Sequence, residues 1–149
     1  MTGGSKEPPV LSFNGMFYKF PPWYKEYMFE WKIEYLSEEN ILFLKSKGQM
    51  DVSGANAMVR DLAEAARQYR CNLHLIDHRD TVMTFSLPEY FERPAINEGL
   101  GISRLFRTAM VFSRLSEDTL FMENVFRNRG YNMRHFAEVD EAKRWLKQG

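Results

Sequence analysis

The 149-residue sequence contains a single cysteine, Cys71, and only three histidines, His74, His78 and His135. One thiol cannot close an internal disulfide, so nothing in the chain calls for an oxidising compartment. Cys71 opens a predicted strand with no base beside it and reads as a buried, inert thiol. The histidines form no Cys/His cluster with ligand spacing, so no metal is expected. No run approaches the roughly 18 apolar residues of a membrane span, and Met1–Val10 lacks the basic-then-apolar order of a secretory leader. The chain therefore reads as cytoplasmic and soluble. Neither sign of charge is in excess, with 20 Lys+Arg against 20 Asp+Glu. General binders of nucleic acid or anionic membranes are usually basic overall, so neither is expected as a partner. A Gly-x-Ser-x-Gly elbow, a phosphate-cradling glycine loop and a dinucleotide fingerprint are all missing, as are internal repeats. These absences point away from an enzyme and away from a cofactor.

What is present is ordinary for a globular protein: 44% hydrophobic and 27% charged residues. The length suits one domain, able to bury roughly 70% of the surface its unfolded chain exposes. Residues 1–26 read as an N-terminal arm, and residues 27–149 as an α/β domain. Residues 1–12, rich in Gly, Pro and Ser, read as a mobile lead-in. Residues 13–31 hold nine aromatics: Phe13, Phe17, Tyr18, Phe20, Trp23, Tyr24, Tyr27, Phe29 and Trp31. So many rings left in water would make a large apolar patch. Three readings stay open: an arm packed on its own domain, a subunit or partner contact, and a ligand pocket.

From residue 27 the periods are clear. Phe29, Trp31, Ile33 and Tyr35 alternate with Glu30, Lys32 and Glu34, the signature of a half-buried strand. The turn Ser37–Asn40 and a second strand over residues 41–48 complete a hairpin. Ala55, Met58, Val59, Leu62, Ala63, Ala66 and Tyr69 form one helical stripe, capped by Asp51 or Ser53. A strand follows at residues 72–77. His74 within it reads as a hydrogen-bonded sheet histidine, not a ligand. Ser86-Leu87-Pro88-Glu89 has the capping-box pattern and opens a helix expected to pause at Arg93-Pro94. Residues 107–113 form a buried strand, Ser116 caps the next helix, and Gly130 ends it. Residues 131–136 are a last short strand, and Asp140 caps a closing helix. Such alternation implies parallel strands joined by right-handed crossovers.

This order, the helix–glycine–strand unit Phe121–Phe136 and the closing helix Asp140–Leu146 resemble the STAS-like fold. That fold is shared by bacterial anti-sigma-factor antagonists and by sporulation-antagonist-like proteins grouped with CRAL-TRIO lipid carriers. The resemblance covers about residues 27–147. It implies a mixed, mostly parallel sheet of about five strands with a leading antiparallel hairpin and four helices. It also implies a non-enzymatic regulatory domain that acts through a protein partner or self-association. A carrier or sensor of a small anionic or lipid-like ligand is the alternative.

The resemblance directs attention to the junction after the central strand, where relatives carry a phosphorylated serine in an Asp-Ser pair at a helix start. No such pair occurs between Thr81 and Ser86. The candidates for binding or regulation are Asp77, His78, Arg79, Thr84 and Ser86. Ser86 has two readings, a phosphoacceptor at a helix N-terminus and a plain cap, and the capping box favours the cap. Asp77-His78-Arg79-Asp80 sets acid, base and cation side by side, but strand neighbours point to opposite faces, so the run reads as a solvated strand end. The last third is arginine-rich. If several of these arginines converge with Arg79, an anion can bind, with Arg107 and Arg129 as the contacts.

Overall fold

The structure is a computed structural model that describes residues 28–148 together with the short strands Thr2–Ser5, Leu11–Phe13 and Met16–Tyr18. These three are β1, β2 and β3. The chain continues through β4 (Glu30–Leu36), β5 (Ile41–Met50), α1 (Val52–Tyr69), β6 (Leu73–Met83) and α2 (Leu87–Gly99). It ends with β7 (Arg107–Val111), α3 (Glu117–Asn128), β8 (Asn132–Phe136) and α4 (Val139–Lys147).

Six strands make the main sheet in the order β1-β4-β5-β6-β7-β8, while β2 and β3 pair separately. The pairs β1/β4 and β4/β5 are antiparallel, and β5/β6, β6/β7 and β7/β8 are parallel. The mixed sheet, the leading hairpin and the four helices among the described residues are as expected, with one strand more than expected in the main sheet. The extra strand is β1, taken from the stretch read as a mobile lead-in, and it pairs Thr2–Ser5 with Glu30–Ile33. Its glycines have no side-chain period, so pairing by backbone alone left no signal. The aromatic cluster from Lys19 to Tyr27 lies outside the described residues; of the cluster's later members, Phe29 and Trp31 are core residues.

The strands β5 to β8 advance across the sheet in chain order. Crossovers of one hand then deliver α1, α2 and α3 to the same face. That face carries the main core, in which Ile33, Leu42, Leu44, Ile76, Met110 and Met133 meet Met58, Leu62, Tyr90, Met122 and Phe126. Helix α4 covers the other face, with Ala142 and Leu146 over Leu75, Ala109 and Val111. Residues His74–His78 of β6 and Thr108–Val111 of β7 are thus buried on both sides of the sheet. Strand β4 keeps its alternation because Lys32 and Glu34 remain in solvent.

Local chemistry sets the boundaries. Asp51 caps α1 by accepting from the Gly54 N–H at 2.7 Å. Helix α2 begins at Ser86 with a complete capping box. It does not pause at Arg93-Pro94 but runs through to Gly99. Pro94 costs the helix one N–H, yet buried Arg93 ties both halves down, donating to Asn56 Oδ1 at 2.7 Å and Asn97 Oδ1 at 2.6 Å. Helix α4 starts after Glu138 without a side-chain cap, so Asp140 lies in its first turn rather than capping it. Gly48 lies in β5 at φ +100°, and a Cβ there would sit 1.8 Å from the Met28 carbonyl oxygen. No helix among the described residues is long and apolar enough to cross a membrane.

Candidate functional site

The site is built on an irregularity at the carboxyl end of β6. Lys45 pairs with Asp77, but Lys47 pairs with Asp80, so two residues of β5 span three of β6. A bulge of this kind re-aims the side chains that follow it. Strict alternation would send His78 and Thr81 to opposite faces. With the bulge, both meet Ser46 on the helix-covered face. Ser46 Oγ lies 2.5 Å from His78 Nδ1, 2.5 Å from Thr81 Oγ1 and 3.4 Å from the Asp77 carbonyl oxygen. Ser46 and His78 are each only 2% exposed.

The opposite face carries Asp77. Its carboxylate accepts from the Arg79 backbone N–H at 3.0 Å, Nε at 3.0 Å and Nη2 at 2.9 Å. Burial opposes ionisation of Asp77, but these hydrogen bonds and the Arg79 charge outweigh it and hold the carboxyl below its usual range. Asp80 faces Lys45 at 3.9 Å. The four-residue run therefore does split between faces. It is not a solvated strand end, however: Asp77 and His78 are buried, and only Arg79 and Asp80 reach water. Strands β5 and β7 flank Asp77 on both sides, and the Phe112 ring lies against His78.

His78 has two neighbours that its own strand cannot reveal. Its ring lies 5.8 Å from that of Phe112, and Phe112 lies 4.9 Å from His135. His135, remote in sequence, is thus brought beside His78 by the parallel pairing of β7 with β8. All three histidines occupy the same sheet face, because His74 and His78 are four strand residues apart. None of the three has both ring nitrogens hydrogen-bonded: His74 Nδ1, His78 Nε2 and both nitrogens of His135 are buried without partners. Burial pushes His74 and His78 down to about 4, a carbonyl contact from Cys71 and the nearby Asp77 charge respectively opposing it. Burial together with the proximity of His78 pushes His135 down to about 3, the nearby Thr119 backbone opposing it without a hydrogen bond of good geometry. The rings are neutral at pH 7, and as an array they are suited to packing rather than to charge.

Beside His78 a cleft of about 280 Å³ opens between the ends of β6 and β7 and the starts of α2 and α3. Thr81, Tyr90, Phe112, Arg114 and Asp118 are among its walls. Val82 is on its wall. With Leu87 and Phe91 in the first turns of α2, and Leu115 and Leu120 just before and within the start of α3, it makes five of the six large hydrophobic side chains that the described residues leave exposed. By contrast, the enclosed apolar space against the sheet near His74 holds about 40 Å³, enough for a water molecule and far below an acyl chain.

The other candidates are held in structural contacts. Thr84 donates through its backbone N–H and its hydroxyl to the Met50 carbonyl, at 3.1 and 3.3 Å. Ser86 accepts from the Glu89 N–H at 3.3 Å, and its own N–H donates to Glu89 Oε1 at 2.9 Å. Arg107 donates to the Trp145 carbonyl from Nε at 3.2 Å and from Nη2 at 2.6 Å, and lies 3.8 Å over the indole. Arg129 lies 4.4 Å over Phe91. Arg107 stands at the amino end of β7 and Arg79 near the carboxyl end of β6, so they do not converge. Sequence reasoning missed Ser46, Phe112 and His135, which carried no motif. The one available signal was the pair of lone polar residues, Ser46 and His135, at inward positions of apolar strands. Among the described residues no group of three or more His, Cys, Asp or Glu side chains is placed to hold a metal ion.

A six-stranded mixed sheet with three helices on one face and one on the other defines an α/β domain of SpoIIAA-like, that is STAS-like, architecture. Comparison with one solved structure supports that fold. An uncharacterised protein of the DUF3478 family with a SpoIIAA-like fold, from Shewanella loihica, superposes with a TM-score of 0.51 at 18% identity, over 79% of this chain and 93% of that one. The Bacillus cell fate determinant SpoIIAA in its phosphorylated form superposes with a TM-score of 0.43 at 15% identity, over 77% of this chain and 98% of that one. No family model matches the sequence, and no curated protein matches it.

Proposed function

We propose that this protein is a regulatory domain that works by docking a protein partner, or a second copy of itself, at the β6–α2 and β7–α3 junctions, without catalysing a reaction. The observation that carries this reading is the concentration of exposed apolar side chains on the segments that flank one cleft. Val82, Leu87 and Phe91 belong to the β6–α2 junction and the first turns of α2, and Leu115 and Leu120 to the β7–α3 junction, whereas Leu105 stands alone in the α2–β7 connection. Scattered exposed hydrophobics need no explanation, but a rimmed concentration of them marks contact surfaces. A cleft of about 280 Å³ accepts one large apolar side chain, the kind of anchor that dominates interface energetics. Ser46 and His78 stiffen its floor. They do not serve as nucleophile and base, because a serine that is 2% exposed cannot reach a substrate.

The test pairs a binding readout with a surface change that leaves the fold intact. Cross-linking and light scattering are run on the wild type and on the double variant Leu87→Asp, Leu120→Asp. The wild type should show a cross-linked partner or a dimer that the variant loses while its circular dichroism is unchanged. A monomer with no partner, or a complex that the variant retains, removes the support for docking here.

A further inference from the structure

At the far end of the sheet, away from the docking cleft, a groove of about 520 Å³ runs along the flank of α1. Its walls carry Arg60, Arg67 and Arg70, and its floor includes Ala63, Leu100 and Phe106. Three turns of helix bring these guanidiniums onto one side, spread over about 15 Å at 1.5 Å per residue. Glu64 is the single carboxylate lining the groove, and Arg67 neutralises it, with Nη2 at 2.6 Å from each carboxylate oxygen. Arg60 and Arg70 have no ion pair or hydrogen-bonding side-chain partner among the described residues, and both are exposed. The groove thus keeps two unneutralised guanidiniums in a chain whose formal charge is zero.

Arg70 is unusual in a second way. It ends α1 in the left-handed conformation, φ 49° and ψ 46°. Glycine takes that conformation freely at a helix end, and a residue with a Cβ takes it at a cost. A glycine would adopt this conformation without that cost, although the arginine's charge suits the negative end of the helix. The left-handed turn leaves Arg70 on the groove wall.

We infer that this groove binds a ligand carrying clustered phosphate groups. The planar, permanently charged guanidinium suits phosphate oxygens, and two or three of them along a helix suit more than one phosphate. The floor of Ala63, Leu100 and Phe106 gives the less polar part of such a ligand a surface to lie on. The groove size falls in the range of small-molecule sites. The same chemistry is presented by a free polyphosphorylated solute and by a phosphorylated lipid headgroup. The inference is independent of the docking reading, since the two surfaces lie at opposite ends of the strands.

The experiment titrates the full chain with inorganic pyrophosphate by calorimetry. In parallel it measures co-sedimentation with phosphatidylcholine vesicles, with and without a phosphatidylinositol bisphosphate. Four proteins are compared: wild type, Arg60→Gln, Arg70→Gly and Arg127→Gln. Pyrophosphate binding identifies a free phosphate ligand, and binding to the bisphosphate vesicles alone identifies a headgroup. In either arm Arg60→Gln and Arg70→Gly should each weaken binding by about tenfold, the scale of one charge-assisted contact. Arg127→Gln, outside the groove, should leave it unchanged. Arg70→Gly should also keep or raise the melting temperature, which separates a lost ligand contact from a damaged fold. Absence of binding in both arms overturns the inference. An equal loss in Arg127→Gln overturns it too, because the attraction would then be to charge in general.

Discussion

Acidification from pH 7.5 to 5 should destabilise this domain steeply, through its histidines. All three are buried, at 1%, 2% and 5% exposure for His74, His78 and His135, so no exposed histidine dilutes the effect. Their folded-state values lie below the ordinary 6.5, at about 4 for His74 and His78 and about 3 for His135, with burial the first cause in each. The sign follows from which state takes up protons. Above pH 6.5 the rings are neutral in both states and stability is at its full value. As the pH falls below 6.5, the unfolded chain binds protons that the folded chain refuses, so stability drops until the folded values are reached. At pH 5 each ring is about 1.5 pH units below its unfolded value, worth about 2 kcal/mol at ~1.36 kcal/mol per unit. Three rings together cost about 6 kcal/mol, against a typical total stability of about 5–15 kcal/mol. Asp77 also loses stabilisation on acidification, but its carboxyl is held below the ordinary 3.8, so that loss falls in a separate, lower window. Urea unfolding followed by tryptophan fluorescence at pH 7.5, 6 and 5 measures the slope. His135→Leu removes two unpartnered ring nitrogens and should reduce that slope by about one proton in three while leaving stability at pH 7.5 within about 1 kcal/mol. A flat profile between pH 7 and 5, or imidazole titrations near 6.5 in the folded protein, would refute the reasoning.

Three further outcomes are expected. Ser86→Ala should cost about 1 kcal/mol by removing the α2 cap, read by urea denaturation, and Ser86→Asp should recover most of it. Arg93→Met leaves the Asn56 and Asn97 side-chain oxygens without their donor and should cost about 1–3 kcal/mol, measured the same way. Gly48→Ala forces a Cβ against the Met28 carbonyl at a left-handed φ and should abolish the cooperative thermal transition seen by circular dichroism.

Much of the fold was legible because the elements are governed by local rules. The alternation of Phe29, Trp31 and Ile33 marked β4, the Ala55–Ala66 stripe marked α1, and Ser86 with Glu89 marked the start of α2. Pro94 misled because the local rule against proline in a helix was overridden by a tertiary contact, the Arg93 bonds to Asn56 and Asn97. Strand β1 was hidden because backbone pairing of Thr2–Ser5 leaves no side-chain period.

The candidate site was less legible. The residues at 77–80 were visible as an unusual run, and their division between faces followed from strand geometry. Their burial did not, because it depends on how far the neighbouring strands extend. The arginines were counted in sequence but not placed, and Arg107 and Arg129 proved to lie against Trp145 and Phe91.

The sequence by itself determined the order of strands and helices, their caps and the class of fold, because periodicity and capping act over a few neighbouring residues. Tertiary structure alone decided that a bulge turns His78 and Thr81 together onto Ser46, that Phe112 separates His78 from His135, and that Arg60 and Arg70 are left unpaired along one groove. Each of these depends on register between strands or on the partner a long side chain finds, and both are set by residues distant along the chain.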